Sequence, residues 1–270
     1  MSQAAELLQS LVQTKENSEI QIETFGQFNV YRKGELITPK EWGRDRTTQL
    51  LQFFVTARNR RALPKEQIAD RIWEDVAGKS IDQTFKVALH GINKNLEPNR
   101  KSRTEPKYMI RQGMTYQMNT QAMWLDVEVF EQLVKLGNEQ LGADESISKD
   151  AYKNAIDLYK GVYLPSRAYE DWTSSERERL QLLALGAIIT YAELLVKDNP
   201  LESIRLSQQA LQIDHAWEDA YRVQMEAYFN KGNRPMAIKT YKKCEKILDE
   251  EFGIGPLPET KALLSKIKNA

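Results

Sequence analysis

A chain of 270 residues, 41% hydrophobic and 28% charged, suits one large domain or two of ordinary size and excludes wholesale disorder. One cysteine and two histidines exclude a disulfide framework and leave little for a structural zinc site; no run approaches the roughly 18 apolar residues of a membrane helix. The formal net charge is zero, yet residues 20–120 carry 18 Lys+Arg against 11 Asp+Glu while residues 121–270 carry 19 against 24, so a basic module suited to a polyanion is joined to an acidic one.

The leading stretch, residues 1–19, is amphipathic and lacks the cationic start and cleavage site of a signal peptide, so a soluble cytoplasmic protein is expected. The same stretch is similar to the end of a helical array, which makes this chain an expected C-terminal output part of a larger sensor. Residues 20–37 alternate apolar and polar around Gly26 and Lys33-Gly34, a small antiparallel sheet. From Arg44 the spacing becomes helical, with Leu50, Leu51, Phe54 and Val55 on one side and Arg58, Arg60 and Arg61 beyond, facing solvent. A second helix starts at Pro64, a residue favoured in a first turn, and offers Ile68, Ile72 and Trp73 to a core. The loop "EDVAGK" (74–79) leads to a third helix, where Ser80 and Gln83 have capping-box spacing. Its buried stripe is Ile81, Phe85, Ala88, Leu89, Ile92 and Leu96, and Pro98 ends it. After the basic loop "NRKSR", the segments "KYMIR" and "TYQMN" form a hairpin around Gln112-Gly113-Met114.

Beyond Trp124 the texture is purely helical: "DVEVFEQLVKL", a Gly- and acid-rich loop from Gly137, a helix "KDAYKNAIDLYKG" ended by Gly161, and a long helix from about Thr173 to Lys197. Tyr163, Tyr169 and Trp172 are expected to pack inside this half. Tyr221, Tyr228, Gly232, Ala237, Tyr241 and Cys244 fit a tetratricopeptide repeat, with Cys244 a buried thiol and His215 structural. A degenerate copy 34 residues earlier keeps Leu194 and Ala210 but has Ser203 and Ser207 in place of apolar residues.

The order sheet, three helices and hairpin within the basic segment predicts a winged helix whose third helix enters the major groove. Gln83, Lys86, Val87, His90 and Lys94 occupy the polar side of that helix. Lysine donates to guanine or phosphate, His90 can donate or accept at a base edge, and Gln83 sits near the helix start. Arg111 beside the hairpin tip is placed to reach the minor groove or its phosphates, and Lys101, Arg103 and Lys107 suit backbone contacts. Arg44 and Arg46 open a helix whose dipole disfavours cations there, which calls for an outside anion. No phosphate-binding glycine loop, dinucleotide fingerprint or zinc-protease motif occurs and no nucleophile–base set can be named, so neither an enzyme nor a cofactor is expected.

The stretches "FGQFNV", "EWGRDRTTQLLQFF", "IADRIWED" and "ALHGINKNLEP", then "LYKGVYLP" with "YEDW" and "ERERL", and the tail from Glu226 to Thr260 resemble the Streptomyces antibiotic regulatory protein family over about residues 20–267. That resemblance implies a mainly α fold with small β: an OmpR-type winged helix-turn-helix at 20–120 followed by an all-α, tetratricopeptide-like bacterial transcriptional activator domain at 121–270. It also implies an activator that binds repeated promoter elements in double-stranded DNA and contacts RNA polymerase, the latter through the 74–79 loop. A homo-oligomer on DNA fits the acidic helical half, since a second half-site adds specificity. Where the family commonly has an arginine-rich run and an Arg near the end of the third helix, this chain reads "RDRTTQLL" and "GINKNL", so its target can differ. The alternative is a tetratricopeptide adaptor whose winged helix binds protein and does not read DNA.

Overall fold

Residues 2–73 and 79–270 are described by a computed structural model. The chain begins with α1 (Gln3–Asn17), opened by the Ser2 hydroxyl accepting the Ala5 N–H, and burying Leu11. Alternation then gives β1 (Ile20–Glu23), which buries Ile20 and Ile22 and pairs antiparallel with β2 (Asn29–Arg32), followed by β3 (Glu35–Leu36). A capping box starts the one-turn helix α2 (Pro39–Trp42): Thr38 Oγ1 accepts the Glu41 N–H, and the Glu41 carboxylate accepts the Thr38 N–H at 2.8 Å. In α3 (Asp45–Thr56) the expected Leu50, Leu51, Phe54 and Val55 are buried, and so are Gln49 and Gln52.

Pro64 does not lie in a helix first turn. It ends the two-residue strand β4 (Leu63–Pro64), and its extended backbone forms the N-cap of α4 (Lys65–Ile72). Residues 74–78, which hold most of the expected polymerase-contacting loop, lie outside the described residues. Helix α5 (Lys79–Leu96) already includes Lys79, so Ser80 and Gln83, expected at the helix start, sit inside its first turns. The hairpin is β5 (Met109–Gln112) and β6 (Thr115–Met118), joined by Gly113-Met114 with Gly113 at φ +62°. Because β6 also pairs with β4, Pro64 opposite Thr115, the wing is a three-stranded sheet, β4-β6-β5. Strand β7 (Trp124–Leu125) lies parallel to β1 and completes the sheet β3-β2-β1-β7.

Helix α6 (Asp126–Gln140) begins with a buried acid. Asp126 Oδ2 accepts the N–H groups of Thr24 (2.6 Å) and Phe25 (3.1 Å), while Oδ1 accepts the Thr24 hydroxyl and the Val127 N–H, each at 2.7 Å. Burial pushes its carboxyl up to about 6, although all four donors oppose the rise. Later residues return to the same sheet: Gly26 N–H donates to Val162 O at 3.0 Å and Leu164 N–H to Thr24 O at 2.9 Å. The first compact unit is therefore Met1–Leu133 with Asp157–Leu180, and the second is Val134–Ile156 with Gln181–Ala270.

That return corrects the expected placement of three aromatics. Tyr163 joins Phe25, Phe130 and Tyr159 in the first unit, and Trp172 meets Phe53 of α3 edge-on at 5.7 Å. Tyr169 is fully exposed, because its neighbours Arg167 and Glu170 make the contacts of that segment with Asp45, Gln52 and Gln49. Arg58 is also corrected. Its side chain is 0% exposed, held by Glu131 at 2.8 Å and Glu176 at 2.7 Å, with a further bond to Val55 O. Burial alone would raise the Glu176 carboxyl, but Arg179 and Arg58 hold it below its ordinary range.

In the second unit α6 runs on to Gln140 and α7 (Glu145–Leu158) starts early, so the loop expected from Gly137 is mostly helix. Gly137 is there for contact: a Cβ would lie 2.9 Å from the Tyr152 ring, and Ser148 Oγ donates to its carbonyl. Next come α8 (Asp171–Leu195), α9 (Pro200–Ile213), α10 (Glu218–Asn230), α11 (Arg234–Phe252) and α12 (Pro258–Asn269). Asn199 and Asn233 cap α9 and α11. The repeat residues Tyr221, Ala237, Tyr241 and Cys244 are buried between α10, α11 and α12, and burial pushes the Cys244 thiol up to about 12. Ser203 and Ser207 are fully buried in the apolar positions of the degenerate copy, Ser207 donating to Ile204 O at 2.8 Å. His215 bonds Glu251 on the surface. Among the described residues no helix is long and apolar enough to cross a membrane.

Candidate nucleic-acid interface

The sequence of α5 sorts its side chains by contact. Phe85, Ala88, Ile92 and Leu96 are buried, while Gln83, Lys86, Val87, His90 and Lys94 are all exposed on the other side. Three contacts fix the helix. Gly91 lies against α3, where a Cβ would come within 2.9 Å of Thr47 Cγ2, so a glycine lets the two helices approach. Phe85 meets Trp73 on one side and Tyr116 of β6 on the other, ring centroids 4.8 Å apart for the second pair, which ties the wing to the helix. Lys65 at the start of α4 bonds Asp82 at 2.5 Å, and this bond holds the Asp82 carboxyl below its ordinary range. The acid of the first exposed turn is thereby engaged, and the outer face beyond it presents Gln, Lys, Val, His and Lys.

On the wing, Arg111 is exposed but held: its Nε donates to Gly113 O at 2.9 Å and its guanidinium lies over the Tyr116 ring. Lys101 and Arg103 are exposed in the loop before β5, with Arg103 at φ +68°. Lys107 is engaged elsewhere, donating to Glu19 at 3.3 Å and lying over Tyr108, and its hydrogen bond holds Glu19 below the carboxylate range. Arg44 is the exposed N-cap residue of α3, and Arg46 is half-buried over the Trp73 ring. Between them Asp45 is bound by Arg167 at 3.0 Å.

Positioning residues absent from the sequence-based set are Gln49, Arg32 and Thr47. Buried Gln49 accepts the Trp73 indole N–H at 2.7 Å and donates to Ile72 O, closing the end of α4 onto α3. Arg32 donates to Asn95 O at the last turn of α5. A glutamine inside the apolar stripe "QLLQFF" is the one signal in the sequence for such a contact.

The family model described as bacterial transcriptional activator domain matches residues 125–268. A comparison with curated proteins finds no match. Among solved structures, Mycobacterium tuberculosis EmbR in complex with a low affinity phosphopeptide is similar over 93% of this chain, with a TM-score of 0.80 at 15% identity; this chain spans 65% of the EmbR chain. At that identity the likeness is one of fold, and it extends through the winged helix that the family model leaves out. The chain belongs to the bacterial transcriptional activator domain family, and its winged-helix N-terminus followed by a helical second unit has the fold seen in EmbR.

Proposed function

We propose that the protein is a sequence-specific DNA-binding activator, acting in the cytoplasm, with α5 in the major groove of promoter DNA and the β5–β6 wing beside it. The observation that carries this reading is the outer face of α5: two lysines, a histidine and a glutamine around one valine, on a helix pinned by α3, α4 and the wing. Arg111, Lys101, Arg103 and Arg44 supply phosphate contacts, which give affinity without sequence information. Lys107 and Arg46 contribute less, since each already has a partner in the fold. The helical second unit provides the protein contacts, to RNA polymerase and to a second copy on adjacent half-sites. Against the adaptor reading stands the composition of α5, since a protein-docking helix needs several apolar anchors and this face exposes Val87 alone among large apolar side chains.

A footprint on the upstream region of the protein's own operon tests the proposal. The expected result is protection of direct or inverted repeats on one face of the duplex. Uniform or absent protection at physiological salt would contradict it.

A further inference from the structure

Val87 is 40% exposed at the centre of the outer face of α5, with Gln83 one turn before it and His90 and Lys94 one and two turns after. A lone exposed valine is unremarkable on a free surface. On a helix pressed into the major groove its position has a chemical consequence. Guanine O6 and N7, cytosine N4–H and adenine N6–H are polar, and a valine against any of them removes water without returning a hydrogen bond. The thymine 5-methyl is the largest apolar group on a major-groove base edge; cytosine offers only a C5–H there, beside its N4–H donor, so Val87 buries the most apolar surface against thymine. The backbone cannot turn Val87 away, because Phe85, Ala88 and Ile92 fix the rotation of α5 and Gly91 seats it against Thr47. The β-branched side chain also has few rotamers in a helix, so its two methyl groups stay where the helix puts them.

We infer that Val87 is a specificity-determining residue that reads a thymine through its 5-methyl group, so that each half-site holds an A·T pair under the middle of α5. This rests on the reading of α5 as the helix in the groove. It gives that helix a divided readout: Lys86, His90 and Gln83 address polar base edges, and Val87 addresses the methyl between them.

The test uses the whole chain and duplexes enriched from a random library. Each thymine of the enriched site is replaced in turn by deoxyuridine, which removes only the 5-methyl, and binding is measured for wild type and for Val87→Ala. One thymine per half-site should matter to the wild type by roughly fourfold, the change expected for burying about one methyl-sized group. That same replacement should leave Val87→Ala binding unchanged. If the library shows enrichment but no thymine behaves this way, or the sensitive thymine is equally sensitive in Val87→Ala, the inference fails while DNA reading by α5 stands. If wild type enriches no sequence, the DNA-binding proposal fails and takes this one with it.

Discussion

At the scale of single residues, the first unit buries the ionisable side chains of Asp126 and Arg58. Asp126 has no cationic partner among its contacts and is held by four donors from Thr24, Phe25 and Val127. Its folded carboxyl at about 6 lies above the ordinary 3.8, so the neutral form favours the fold. That contribution is full below about pH 4 and fades as pH rises past about 6. Asp126→Asn removes the titration and sets an NH2 group against N–H donors, which lowers stability at every pH. In urea unfolding, the advantage of wild type over Asp126→Asn should shrink as pH rises from about 4 to about 7, by up to about 3 kcal/mol. An advantage that grows with pH would mean the carboxylate is the favoured form. Little of this is visible in "WLDVEVF", where Asp126 looks like an ordinary first-turn acid; three of its four donors lie about 100 residues upstream. Arg58 misleads the same way, because Glu131 and Glu176 are distant in sequence and a basic run at a helix end reads as solvated surface.

At the scale of elements, period carries the legible part. The apolar stripe of α5, the wing and the repeat residues of α10 and α11 follow from spacing alone, since each depends on neighbours three, four or two positions away. Boundaries set by tertiary contact do not. Pro64 ends a strand because the wing pairs with it, and Gly137 stays helical because Tyr152 packs on it. Gly91 belongs with these, and it positions the proposed interface. In Gly91→Ala the new Cβ meets Thr47 Cγ2 at 2.9 Å and Oγ1 at 3.1 Å, which should destabilise the first unit by about 1–3 kcal/mol and displace α5 from α3. Thr47→Ala removes both of those atoms, leaving Thr47 Cβ at 3.6 Å. The double variant should therefore recover most of the loss in stability and in DNA affinity. Additive losses in the double variant would show that the two helices do not meet in this way.

At the scale of the whole molecule, the division between a basic first part and an acidic second part supports the proposed regulator, which would meet DNA with one and proteins with the other. The charge balance points to a polyanion, but it does not separate exposed cations from those already engaged in the fold. Lys107 spends its charge on Glu19, whereas Lys86 and Lys94 stand exposed on α5. Counterion release then predicts steep salt dependence, with each phosphate or groove lysine removed lowering the slope by about one. The most direct test is fluorescence anisotropy of the whole chain on a duplex from its own regulatory region and on a scrambled duplex across a salt series, repeated with Lys86→Ala/Lys94→Ala. Preference for the native duplex is expected, and in the double variant at least about tenfold weaker binding with a salt slope reduced by about two. Equal binding to both duplexes, unchanged by removing the two lysines, would contradict that expectation.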